Sequence, residues 1–135
     1  MFDSLGCEDR DQRERLSRAS DEVLFRLAGA SAAAVVVNWW DQDSAPARLN
    51  GIADSFVEVF CDCPLDLATA RFAARERHPG HLDALRTAED REQGLERLRD
   101  YRGPLRLDGP LVTAATGRPV DLEVLVAAVR STIER

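Results

Sequence analysis

The chain has 135 residues, enough for one domain with a core of its own. Its net charge is −6 and its 18 basic residues are all arginine, so it lacks the positive footprint of nonspecific DNA or RNA binding. Three cysteines (Cys7, Cys61, Cys63), no leader pattern and no long apolar run lead to the expectation of a reduced, cytoplasmic protein with no membrane partner.

Residues 8–29 carry a helical pattern. Leu16, Ala19, Val23 and Leu27 recur on one face and charges fill the other, with Gly29 as a stop. Residues 33–38 are an apolar run with three valines. Without alternation, such a run is expected to be a strand buried on both faces of a parallel sheet. Trp39 and Trp40 follow it directly. Asp43 or Ser44 is placed to cap a short helix with Pro46 in its first turn, ending near Gly51. The run from Phe56 to Asp62 reads as a second strand.

Pro64 opens a helix expected to reach Arg77, and His78-Pro-Gly-His81 breaks it. Residues 82–100 are strongly charged with sparse leucines (Leu82, Leu85, Leu95, Leu98), the pattern of one or two exposed helices. Gly103-Pro104 and Gly109-Pro110 mark turns. Residues 111–115 form a third, weaker strand. Asp121 then caps a last helix with Leu122, Leu125, Val126, Val129 and Ile133 on one stripe. Strands alternating with helices define an α/β class with a parallel sheet and helices on both faces. No repeat or linker divides the chain, so residues 1–135 are expected to form a single domain.

Three groups of residues are placed to carry chemistry. Arg71, Arg75 and His78 are spaced i, i+4, i+7 and would share a helix face. No acid within helical reach neutralises either arginine. Two such guanidinium groups suit a bidentate anion such as phosphate, and equally suit a solvated face paired to distant acids. Cys61-x-Cys63 with His78-x-x-His81 supplies four nitrogen and sulfur groups, the number a zinc site needs. The short cysteine spacing and the Pro-Gly between the histidines oppose that reading, and the cysteines equally fit small core positions. Asn38 ends the expected strand and Trp39-Trp40 extend from it, where open α/β sheets place ligands, so Asn38, Asp41 and Asp43 are placed to contact a substrate or a metal-bound water; a turn asparagine with the two tryptophans packing under the next helix fits as well. There is no Gly-x-Ser-x-Gly elbow. The absence of lysine excludes Schiff-base chemistry and the Gly-x-x-x-x-Gly-Lys-[Ser/Thr] phosphate loop.

Phe60-Cys-Asp-Cys-Pro64, followed by Ala70-Arg71-Phe-Ala-Ala-Arg75-Glu-Arg77-His78-Pro79-Gly80-His81-Leu-Asp83, resembles the fourth strand, following helix and lid of P-loop kinases. The group it resembles is the bacterial AAA-type P-loop ATPase domain related to zeta toxin and chloramphenicol phosphotransferase. Val35-Val-Val-Asn38-Trp39, Pro119-Val-Asp121-Leu-Glu-Val-Leu125 and Met1-Phe-Asp-Ser-Leu-Gly6 resemble further pieces of the same fold. The resemblance implies ATP with Mg²⁺ and a small-molecule phosphate acceptor. It implies that Arg71 and Arg75 stabilise the transferring phosphoryl group as arginine fingers do. Arg77, His78 and His81 would belong to a lid over roughly residues 76–100. Thr116, Gly117 and Arg118 would lie near the nucleotide base, and Asn38, Trp39 and Asp41 would face the acceptor.

The departure from that family is the first strand with its phosphate loop, which in the family sits centrally, between the strands corresponding to 33–38 and 56–62. The expectation is therefore a truncated P-loop-kinase-like domain, inactive alone and open to self-association or a partner chain at an exposed sheet edge. The alternative is a non-enzymatic interaction or regulatory domain derived from such a kinase.

Overall fold

A computed structural model describes residues 9–76, 86–101 and 103–134. Seven elements follow in order: α1 (Arg10–Gly29), α2 (Ala45–Asn50), β1 (Glu58–Asp62), α3 (Leu65–Ala74), α4 (Ala88–Arg99), β2 (Leu111–Ala115) and α5 (Leu122–Ile133). This is a mixed helix and strand fold with a small parallel sheet. β1 and β2 pair in register from Glu58 opposite Leu111 to Asp62 opposite Ala115. The intervening α3 and α4 supply the crossover that a parallel pair requires.

Three of the five described helices start where a side chain satisfies their first amides, whereas α3 follows Pro64 and has no side-chain cap. Asp9 accepts from Gln12 N at 2.7 Å at the head of α1. Thr87 and Asp90 form a reciprocal capping box at the head of α4. Asp121 accepts from both Glu123 N and Val124 N at α5. α2 begins differently: Ser44 precedes it but turns its hydroxyl to Asp41, and Pro46 sets the first turn.

Two expectations about burial are corrected. Residues 34–41 run outside any helix or strand, and Val35 and Val37 are 95% and 87% exposed, so the expected doubly buried strand over 33–38 does not form. Among the described residues the sheet has two strands, so the second edge of β1 has no strand partner and the valine run has no ladder to join. On α1, Val23 and Leu27 are exposed, while Phe25 faces the core. The core is Phe25 with Ala45 and Leu49 of α2, flanked by Trp40, Ile52, Phe56, Leu105 and Leu107. Phe25 and Trp40 meet at 5.8 Å between ring centroids in a tilted arrangement. α5 buries only part of its stripe: Leu122, Val126 and Ile133 are exposed, and Leu125 and Val129 are half-buried.

With so small a core, polar ties between segments matter. The Glu58 carboxylate accepts from three successive amides, Leu105 N at 2.5 Å, Arg106 N at 3.0 Å and Leu107 N at 3.4 Å. Arg106 has φ 59°, the left-handed conformation that turns consecutive N–H groups into one concave cradle for an anion. Gln42 Nε2 then donates to the Gly103 carbonyl at 2.6 Å, linking the segment after Trp40 to the same loop. Arg48 pairs with Glu22 at 2.7 Å, and Arg10 pairs with Asp90. Among the described residues, no helix is long and apolar enough to cross a membrane.

Replacing Glu58 with Ala removes a charged acceptor from three amides and is expected to destabilise the fold by about 2–3 kcal/mol. The check is the urea midpoint; a shift worth under about 0.5 kcal/mol contradicts the assignment. The Asp90 carboxyl is held below its ordinary value of 3.8, first by the Thr87 amide, then by the Thr87 hydroxyl, with a smaller contribution from Arg10. A depressed acid stabilises the fold above its unfolded pKa and loses that contribution as pH falls through its folded pKa. The first turn of α4 should therefore loosen only below pH 3.8. In Thr87→Ala the Asp90 midpoint, read by NMR titration, should rise towards the ordinary value.

Candidate functional site

The parallel pair brings the carboxyl ends of β1 and β2 together, and the chain immediately beyond each strand converges there. Thr116 follows β2 and binds back to β1 twice: its amide donates to the Asp62 carbonyl at 2.6 Å and its hydroxyl donates to the same oxygen at 2.8 Å. Arg71 on α3 reaches across to this junction. Its Nη1 donates to the Thr116 carbonyl at 2.7 Å and lies 3.6 Å from Cys63 Sγ. Gly117 passes close over the start of α3; a Cβ there would stand 3.1 Å from Pro64 Cδ. Arg71, Thr116 and Gly117 are thus assembled at one end of the sheet, with exposed Arg118 next along the same loop.

Other expected members are elsewhere. α3 ends at Ala74, and Arg75 is already extended, with ψ 133°. Arg71 and Arg75 therefore do not share one helical stripe. Arg75 instead lies over the Phe72 ring at 4.2 Å, with Arg86 at 5.8 Å from that ring. Cys61 is exposed and Cys63 is half-buried, so neither takes the core position allowed for it by sequence. Arg77, His78, His81, Cys7, Leu82, Leu85 and the segment 1–6 lie outside the described residues. Among the described residues, no three His, Cys, Asp or Glu side chains gather as metal ligands.

Asn38, Trp39 and Asp41 meet in a second place, a cavity of about 120 Å³ beside α1 and α2. Asn38 Nδ2 donates to Asp21 at 3.1 Å, and its Oδ1 accepts from Trp39 N at 2.9 Å. Asp41 Oδ1 accepts from the Ser44 amide and hydroxyl at 2.8 and 2.6 Å. An aromatic ladder connects this cavity to the sheet. Trp39 packs on Tyr101 at 5.1 Å, and Tyr101 lies parallel to Phe60 of β1 at 6.4 Å. Sequence reasoning missed Asp21, Arg48, Tyr101 and Glu58. Only Glu58 carried a signal, as an acid inside the apolar run of a strand.

No family model, no curated protein and no solved structure matches this chain.

Burial, and secondly the negative charge of Glu58, push the Tyr101 phenol above its ordinary value of 10.0. A raised phenol contributes stability that is complete below the unfolded pKa and is lost as pH rises through the folded one. This is the chain's single tyrosine, so absorbance of phenolate reports it alone. The native midpoint should lie above that of the urea-unfolded chain, and Glu58→Gln should lower it partway. Coincident native and unfolded midpoints would contradict the contact.

Proposed function

We propose that this chain is the arginine-bearing part of a P-loop-type ATPase or small-molecule kinase, acting in phosphoryl transfer from ATP with Mg²⁺. The observation that carries the reading is the convergence of Arg71 with Thr116 at the carboxyl ends of two parallel strands. In this reading Arg71 holds a phosphate while its Nη1 stays tied to the Thr116 carbonyl. Its Nε and Nη2 have no partner among the described residues and face the anion as a fork. Thr116, Gly117 and Arg118 line the nucleotide side, and Asn38, Trp39 and Asp41 the acceptor side. Arg75 keeps its proposed part in stabilising the transferring phosphoryl group, and Arg77, His78 and His81 their proposed lid role. The phosphate loop and its lysine are not among the 135 residues, so these residues bind phosphate weakly and turn nothing over by themselves.

A second reading is favoured by the 95% exposure of Val35 and the unpartnered edge of β1 among the described residues. In it the protein is an interaction domain whose apolar edge takes a partner chain or a second copy. Calorimetric titration with inorganic tripolyphosphate separates the two. The kinase reading expects millimolar binding, weakened at least fivefold in Arg71→Ala and only partly restored in Arg71→Lys, which lacks the fork. Absence of binding, with concentration-dependent self-association in sedimentation, supports the interaction domain. Tight Mg²⁺-dependent ATP binding would contradict the weak, loop-less site.

A further inference from the structure

We infer that the cavity between α1 and the segment 38–48 recognises a small organic cation, an alkylammonium group, and that this group belongs to the phosphate acceptor. The substrate role rests on the phosphoryl-transfer reading above; the recognition of an ammonium group does not.

The volume sets the scale. At about 120 Å³ the cavity is well below the roughly 300–1,000 Å³ of pockets that hold drug-sized ligands. It offers the space of about four waters, enough for a head group and too little for a nucleotide. Its walls combine the aromatic rings of Trp39 and Trp40 with the carboxylates of Asp21 and Asp41. Rings and carboxylates together favour a cation: the ring faces attract it and the acid fixes its N–H groups.

Arg48, the one cation in the wall among the described residues, does not reverse that preference. Arg48 is bound to Glu22 at 2.7 Å and lies over the Phe25 ring at 3.8 Å. An anion would meet an arginine already paired and two acids that repel it. A neutral ligand would leave Asp21 without a charge partner. The Asp21 carboxylate accepts only the Asn38 amide among the described residues, at 3.1 Å, so it retains acceptor capacity for an ammonium group. Asn38 in turn accepts the Trp39 amide on its Oδ1, which ties the Trp39 backbone to the residue that binds the acid.

The probes are tert-butylammonium chloride and its neutral isostere, tert-butanol. The chain contains two tryptophans, and both line this cavity, so intrinsic fluorescence reports it directly. The expected result is a saturable fluorescence change with the ammonium salt in the millimolar range and none with tert-butanol. Asp21→Asn, which keeps the shape and removes the charge, should weaken binding at least tenfold. An equal response to both probes, no saturation, or unchanged affinity in a folded Asp21→Asn variant would overturn the inference. The comparison of probes on the unaltered chain stands even if the variant fails to fold. Arg71→Ala should bind the ammonium probe normally while losing tripolyphosphate. In the unaltered chain, absence of the ammonium signal alone refutes the cavity, and absence of tripolyphosphate binding alone refutes the kinase reading.

Discussion

The Glu58 carboxylate is the interaction on which the rest of the structure depends. It sits at the start of β1 and gathers the amides of Leu105, Arg106 and Leu107, which approach β2. The left-handed turn at Arg106 that makes this possible costs roughly 1–2 kcal/mol by itself, so the carboxylate must outweigh it. Two consequences follow. Leu105 and Leu107 are delivered to Phe25, Ala45 and Leu49, completing the core. β2 is started in register, with the Glu58 amide donating to the Pro110 carbonyl at 2.9 Å.

Both candidate sites inherit their geometry from that register. At the far end of the pair, Thr116 closes on Asp62, and Arg71 closes on Thr116. A slip of one residue between the strands would turn alternate side chains to the other face and move Thr116 away from the Asp62 carbonyl. On the other side, Gly103 receives Gln42, and Tyr101 stacks between Trp39 and Phe60. The cavity is therefore coupled to the sheet through one loop held by one carboxylate. The ring contacts at 5.1 and 6.4 Å are individually worth about 0.5–1.5 kcal/mol, comparable to a hydrogen bond in a chain with so few buried side chains.

Local signals in the sequence carried the elements well. Pro64, Asp121, Pro46 and the runs at 56–62 and 111–115 act within a few residues; each element stands where its chemistry placed it, the first strand starting two residues late at Glu58. The run at 33–38 failed because strand formation is not local. Three valines favour extended backbone, but burial requires a neighbouring strand to supply the ladder. The amphipathic reading of α1 failed for a related reason: Phe25, one bulky ring outside the Val23 and Leu27 stripe, found α2, and that contact oriented the helix. At the site, Arg71 and Thr116 were legible as separate candidates, 45 positions apart. Their bond was not, because it depends on the parallel register. The length of α3 was misjudged because its end at Ala74 has no glycine to announce it. Glu58 stood out as an acid inside an apolar run, but its partners did not, because the amides of Leu105 to Leu107 lie 47 to 49 positions away.

The central claim is that the ends of β1 and β2 form an anion site organised by Arg71. The most direct measurement is a ¹H–¹⁵N NMR titration of the labelled chain with inorganic phosphate, following backbone amides and arginine Nε–H signals together. The account predicts shifts at Cys63, Thr116, Gly117 and Arg118, with the Arg71 Nε–H moving in parallel and the amides of Leu105 to Leu107 unmoved. Shifts centred on the Glu58-held loop or spread evenly over the exposed arginines would contradict it.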